Sequence, residues 1–193
     1  MHGTQILETK RLVLRSFEPG DAEAMFANWA RDPAVTRYLR WEAHPDTAET
    51  RRVLADWAAA YARPDFYNWG IVRRADGVLM GAIGVCPAED AALPPEPGYA
   101  LGRAFWGRGY ATEALQAVTD YMFRSEGLDA LSCCHAMENP ASGRVMCHVG
   151  FQYVRDDVYH KYNGTAIPCK CYLLTKEEFY DRTSFDENHP AGR

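Results

Sequence analysis

No stretch of the sequence approaches the ~20 consecutive apolar residues of a membrane-spanning helix. The opening residues, MHGTQILETKRLVLR, carry neither an apolar signal core nor a small-residue cleavage site. A cytoplasmic protein with no membrane partner is therefore expected. Basic residues are in deficit: 21 Lys and Arg against 26 Asp and Glu leave a formal charge of -5, the wrong sign for a surface that collects nucleic-acid phosphates. No nucleic-acid partner is expected, and small or basic substrates fit the balance better. The six cysteines lack the spacing of a disulfide framework, since Cys133 and Cys134 are adjacent and Cys169 and Cys171 are one residue apart. The CxxC pairs of a zinc ribbon are missing too, so reduced thiols and no metal are expected. There is no internal repeat, and the one biased segment is the acidic, Pro-rich PAEDAALPPEP at 87–97.

What the sequence has is core material. Its 193 residues are 47% hydrophobic and include five Trp and eleven Tyr, enough for one soluble domain. We expect that domain over 1–180 and a flexible tail over 181–193. RLVLRSF (11–17) alternates as a strand does. Helical spacing follows from Asp21 to Asp32, in AVTRYLRW, and from a cap at Asp46 or Thr47, with Val53, Leu54, Trp57 and Tyr61 as a buried stripe. FYNWGIVRR and GVLMGAIGVC flank Ala75-Asp76-Gly77, and Asp-Gly between two apolar runs signals an antiparallel hairpin. After the Pro-rich loop come a strand, GYALGR, and a helix in GRGYATEALQAVTDYMFRSEG closed by Gly127. Then follow a strand, ALSCCHAM, and a short helix with Asn139 at its cap and Pro140 in its first turn. FQYVRDDVYHKY and CKCYLLT read as the final strands, and SFDENHPAGR as a frayed end. This order predicts a mixed α+β sheet and disfavours regular βαβ alternation.

The chemistry concentrates in GYALGRAFWGRGYATEAL (98–115), where a strand runs through a glycine loop straight into a helix. Gly107 and Gly109 permit close backbone approach, the first-turn N–H groups and helix dipole favour an anion such as a diphosphate, and Arg108 adds charge. Taken alone, the pattern is equally that of a plain strand-to-helix turn. A dinucleotide fold is a poor fit, because the acidic ribose ligand expected ~20 residues on would fall inside or just beyond the same helix.

The same stretch resembles the signature of the GNAT acetyltransferases: Gln or Arg, two variable residues, Gly, one variable residue, then Gly or Ala. Trp106, Gly109 and Ala111 hold the frame, with Trp106 departing from Gln or Arg. ETKRLVLRSFEPGDAEAMF, RDPAVTRYLRW with HPDTAET, and ENPASGRVMCHVGFQY are similar, in order, to segments of the RimJ/RimL-type branch, and together they span nearly the whole chain. The resemblance implies a GNAT fold of class α+β, with a largely antiparallel sheet whose fourth and fifth strands, GYALGR and LSCCHAM, splay apart. The pantetheine arm of acetyl-CoA enters that gap by strand-like pairing with backbone near Leu101 and Arg103. The implied activity is acetyl transfer from acetyl-CoA to a primary amine, on a protein N-terminus or a small molecule, by direct attack.

Further cofactor contacts implied are Gly107, Arg108, Gly109, Tyr110, Ala111, Thr112, Asn139 and Ser142. Many relatives carry a Tyr acid seven residues after the Asn; here Met146 stands there and cannot donate a proton. Ser142 becomes the candidate donor, and Glu96 and His135 the candidate bases. Each also has a plain structural reading: a helix-turn hydroxyl, a loop carboxylate and a satisfied strand histidine, with Asn139 an N-cap and Glu113 a complement to the helix dipole. The implied strand order places Cys133 and His135 on one face and Cys169 and Cys171 on one face of the neighbouring strand. Met146 leaves a second reading open, a non-catalytic acetyl-CoA-binding module. A monomer and a homodimer fit equally.

Overall fold

The Asp76-Gly77 turn forms as its residues dictate. Gly77 takes a left-handed φ of +70°, the Asp76 carboxylate accepts from Arg73, and β3 (Tyr67–Arg73) folds back antiparallel on β4 (Leu79–Cys86). In this computed structural model, which describes residues 1–90 and 92–188 with side chains through 182, the hairpin is the centre of a five-stranded sheet. β2 (Leu12–Arg15) pairs with β3, a two-residue β1 (Leu7–Glu8) pairs with β2, and β5 (Glu96–Leu101) lies against β4. A second antiparallel sheet has β8 (Ala166–Thr175) between β6 (Ala130–Ala136) and β7 (Gln152–His160).

The two sheets touch at β5 and β6 and then part. Ser132 N–H donates to the Pro95 carbonyl at 3.1 Å, and the next donor that a ladder would need, at residue 97, is a proline nitrogen without a proton. The Pro97 carbonyl instead accepts from the Cys133 thiol at 3.2 Å. Past this point the C-terminal half of β5 pairs only with β4, and the predicted splay opens.

Each face of the first sheet carries a core. On one, Leu12, Leu14, Trp69, Ile71 and Ile83 pack against Ala114, Leu115, Val118 and Met122 of α4 (Tyr110–Arg124) and Met146 and Val149 of α5 (Pro140–Val149). On the other, Val72 and Leu79 meet Met25 of α1 (Ala22–Met25), Trp29 and Leu54. Trp29 belongs to a single wide turn, Phe26–Ala30, that continues α1. In α3 (Thr47–Ala60), Asp46 is the cap, accepting from Glu49 N–H, and Leu54 with Thr50 forms the fully buried stripe; Val53 and Trp57 are half-buried.

Three stretches depart from the sequence expectation. Helix α2 covers only Pro33–Thr36 of the region around AVTRYLRW. A longer helix would join the Arg40 carbonyl to the His44 N–H, but Arg40 accepts from Tyr162 N–H at 2.8 Å and His44 donates to Ala30 at 2.8 Å. Helix α4 ends at Arg124, and Gly127 forms the left-handed turn beyond its Ser125 cap. Residues 181–188, expected in a tail, belong to α6 (Lys176–Asn188), which a reciprocal Thr175–Glu178 cap starts and Phe179 fastens into the core. The remainder of the expected tail, 189–193, lies outside the described residues. No helix among the described residues is long and apolar enough to cross a membrane.

Helix α4 is tied to the β1–β2 turn through Glu113. Its carboxylate accepts from the Thr9 hydroxyl at 2.6 Å, Arg11 N–H at 2.9 Å and Arg11 Nε at 2.5 Å. Burial pushes the Glu113 pKa up, yet the Thr9 and Arg11 donors outweigh it and hold the carboxyl below its ordinary value. A depressed carboxyl pKa contributes stability that is present above the unfolded value and lost as pH falls through the folded one. Glu113→Gln is expected to lower Tm at neutral pH by about 2–4 °C, the shift ~1 kcal/mol makes in a domain of this size. Thermal melts should show the gap between the two proteins closing as pH falls below the ordinary carboxylate range.

Candidate active site

Beyond Leu101 the chain is locked by close approach: Gly102 N–H donates to Met80 at 2.9 Å, and a Cβ on Gly102 would sit 2.4 Å from the Asn28 carbonyl. A 3-10 turn, Arg103–Phe105, follows, and then the loop to α4. Gly107 and Gly109 both adopt left-handed φ, +70° and +75°, and a Cβ built on Gly107 meets nothing within 4 Å. The ground before the loop is open. Gly109 caps α4 with no side-chain hydrogen bond, so the N–H groups of Tyr110, Ala111 and Thr112 have no acceptor within the helix. Tyr110, Ala111 and Thr112 line the cleft with Gly107 and Gly109. Arg108 has an exposed side chain, and its carbonyl accepts from Arg11 Nη1 at 2.9 Å. The Arg11 guanidinium also covers the Tyr110 ring, 4.6 Å from its centroid. Trp106, at the signature's departing position, donates its indole N–H to the Leu101 carbonyl at 2.7 Å, bracing loop against strand.

The edge of β5 supplies the second element. Gly102 N–H faces β4 and the Pro95 carbonyl faces β6, and backbone groups alternate along a strand. Tyr99 and Leu101 therefore turn their N–H groups into the gap. Arg103, expected to share this role with Leu101, lies in the following turn: its carbonyl accepts from Trp106 N–H at 3.2 Å and its side chain pairs with Asp32 at 2.5 Å. Tyr99 takes its place on the gap edge.

Across the gap, Asn139 caps α5, with Ser142 N–H 3.4 Å from its Oδ1. The Tyr99 hydroxyl lies 3.0 Å from Ser142 Oγ and donates to the Ser142 carbonyl, also at 3.0 Å. Burial pushes the Tyr99 phenol far above its ordinary pKa, so it stays a hydroxyl. Met146 is 1% exposed, inside the core. His135 is buried beneath α5, with Nδ1 2.8 Å from the Ala136 carbonyl and Nε2 3.2 Å from the Tyr172 hydroxyl. The carbonyl requires a proton on Nδ1, which makes Nε2 the acceptor from Tyr172. Both nitrogens are thus engaged, and His135 acts as packing: a Cβ on Gly143 would fall 2.4 Å from Nε2.

Glu96 stands at the other end of β5, ~10 Å of strand before Tyr99. Its Oε1 accepts from the Cys134 thiol at 2.8 Å and its Oε2 pairs with Arg40 at 3.3 Å. Arg40 also holds Glu89 at 2.8 Å and the His160 carbonyl at 3.1 Å, so one guanidinium ties the Pro-rich loop and the β7–β8 turn to Glu96. A Cβ on Gly98 would meet nothing within 4 Å, which leaves free space along the strand. Glu96, Gly98, Tyr99, Ser142 and the glycine loop all line one cleft of about 2430 Å³, well above the ~300–1,000 Å³ of an ordinary small-ligand pocket.

Cys133 faces the first core, while Cys134 faces the same side as Cys169 and Cys171, across from Ala136 and Cys134 in the β6–β8 register. All six cysteines are free thiols, and among the described residues no three His, Cys, Asp or Glu side chains are grouped to hold a metal.

The family described as acetyltransferase (GNAT) domain matches residues 11–152. The chain is 33% identical over 174 residues to the uncharacterized N-acetyltransferase YoaA of Bacillus subtilis (strain 168), covering 89% of this chain and 97% of that protein. A GNAT-family acetyltransferase from Bacillus anthracis superposes with a TM-score of 0.77 at 23% identity, over 90% of this chain and 100% of the other. The ribosomal-protein-S5-alanine acetyltransferase of Vibrio fischeri gives 0.75 at 15% identity, over 91% and 98%. These superpositions show a shared fold.

Burial raises the pKa of Cys133, Cys134 and Cys171, and that of Cys169 to about 12. The exposed residue Cys86 turns its thiol toward the Glu96 carbonyl at 3.6 Å, and burial raises it too. Titration of the native protein with a disulfide reagent should find at most the two exposed cysteines, Cys86 and Cys147, reacting fast, and six after denaturation. Three or more fast thiols would contradict this placement.

Proposed function

Because the chain belongs to the GNAT acetyltransferase family, we propose that it is a RimJ/RimL-type member that transfers the acetyl group of acetyl-CoA to a primary amine by direct attack. One observation carries the reading: the β5–β6 gap and the uncapped, glycine-opened start of α4 form a single continuous cleft. The space before Gly107 and the free first-turn N–H groups suit a diphosphate. The Tyr99 and Leu101 N–H groups suit an extended amide chain, and a donor at this edge also stabilises charge on an acyl oxygen. When bound, acetyl-CoA supplies an activated acetyl thioester.

The protein's own side chains divide the remaining work. Glu96 has lone pairs left over from Cys134 and Arg40 and takes the proton of the incoming amine. Ser142 stands on the opposite side of the gap, and its hydroxyl is the donor assigned to the leaving group. Direct attack is favoured over an acetyl-enzyme because the Cys133 thiol is buried, raised in pKa and occupied with Pro97, and the Cys134 thiol is raised in pKa and bonded to Glu96. The acceptor is a protein N-terminus or a small-molecule amine. The burial of Met146 in the core favours the alternative of a non-catalytic acetyl-CoA-binding module, and the Tyr99–Ser142 hydroxyl pair in the cleft favours catalysis over it.

Release of CoA from acetyl-CoA across a panel of amines and N-terminal peptides separates the two readings: turnover with at least one acceptor is expected, and none would leave the binding module. Gly109→Val forces a β-branched residue to φ +75° and blocks the open loop. It should weaken acetyl-CoA binding at least about tenfold by calorimetry. Unchanged affinity in a folded variant would remove the loop from the site.

A further inference from the structure

We propose that Tyr99 is a positioning residue for the leaving group: its phenol holds the Ser142 hydroxyl so that the serine proton points into the cleft, at the thiolate that acyl transfer releases. The assignment rests on the acetyl-CoA reading above.

The geometry offers the phenol two acceptors at the same 3.0 Å, the Ser142 carbonyl and Ser142 Oγ, and it has one proton to give. When the carbonyl takes it, the phenol oxygen can accept from Oγ, which turns the serine proton away from the cleft. When Oγ takes it, the serine proton is released to the open side. Rotation of one O–H bond therefore switches Ser142, and an anion in the cleft selects the state that faces it. The Ser142 backbone is held in place, because α5 is capped by Asn139 and seated on His135 at Gly143. Met146, buried in the core, offers no competing donor.

The proton stays on the hydroxyls. A free thiol has a pKa of about 8.5 and a tyrosine about 10, and burial drives Tyr99 further up. Transfer to sulfur is thus uphill from either residue. The amine nitrogen bonds to the acetyl carbon, the carbon–sulfur bond breaks with its electron pair on sulfur, the amine proton goes to Glu96, and the thiolate keeps a charge-assisted hydrogen bond until it takes a proton from solvent. The titratable groups that face Tyr99 from neighbouring elements are the thiols of Cys133 on β6 and Cys147 on α5; His135 on β6 lies under Gly143, Arg144 of α5 lines the same cleft, and Glu96 stands earlier on β5.

The test is calorimetric binding of CoA, the thiol product, on either side of its pKa of about 8.5, with desulfo-CoA as the control for those other titrating groups. Wild type should bind CoA about tenfold more tightly on the alkaline side, the strength of one charge-assisted hydrogen bond, and desulfo-CoA equally at both. Tyr99→Phe and Ser142→Ala should each lose the alkaline gain, read as the ratio of that variant's own alkaline and neutral affinities, and the double variant should lose no more. A gain retained by either single variant, no gain in wild type, or an equal gain for desulfo-CoA overturns the assignment. If Tyr99→Phe fails to bind at neutral pH, Ser142→Ala alone decides, and a retained gain overturns it. No CoA binding by folded wild type at either pH overturns the acetyl-CoA reading and this assignment together.

Discussion

The cleft depends on β5 having a ladder partner on one side only. Pro97 has no N–H to give β6, so pairing between the sheets stops at the Pro95–Ser132 bond. With β6 turned away, the gap edge keeps the donors of Tyr99 and Leu101 available. A normal residue at 97 would extend the ladder and narrow the gap. The same edge explains why Tyr99 reaches Ser142: α5 follows β6 in the chain and stands across the gap, and the phenol is the bridge.

The two ends of β5 carry different chemistry. At the C-terminal end the ligand meets mainly main chain and helix dipole, left-handed glycines and an uncapped helix, while side-chain braces from Trp106 and from Arg11 with Glu113 hold the loop against the strand. At the N-terminal end the groups are charged side chains, with Arg40 linking Glu96, Glu89 and the β7–β8 turn. An anionic ligand part suits the first end, and an amine that must lose a proton suits the second.

Much of this was legible in residue types with one conformational job. Asp76-Gly77 fixed the hairpin, Asn139-Pro140 the start of α5, and Gly107 and Gly109 the loop, because each meets a local backbone requirement. Contacts between distant segments were not legible. AVTRYLRW has helical spacing, yet Arg40 and His44 give their backbone groups to Tyr162 and Ala30. Arg103 reads as strand, but the chain turns at Gly102. His135 reads as a candidate base until its burial and its two partners are seen. Tyr99 went unnoticed because its importance lies in which edge of β5 is unpaired, and alternation alone gives two edges with no means of choosing. The proline at 97 was the available signal.

Amide hydrogen exchange, measured residue by residue with and without CoA, tests the central claim that the unpaired edge of β5 receives an extended ligand. The account predicts that exchange at Tyr99 and Leu101 slows by about tenfold or more on CoA binding, along with that at Tyr110, Ala111 and Thr112. Unchanged exchange at Tyr99 and Leu101 with CoA demonstrably bound would contradict it.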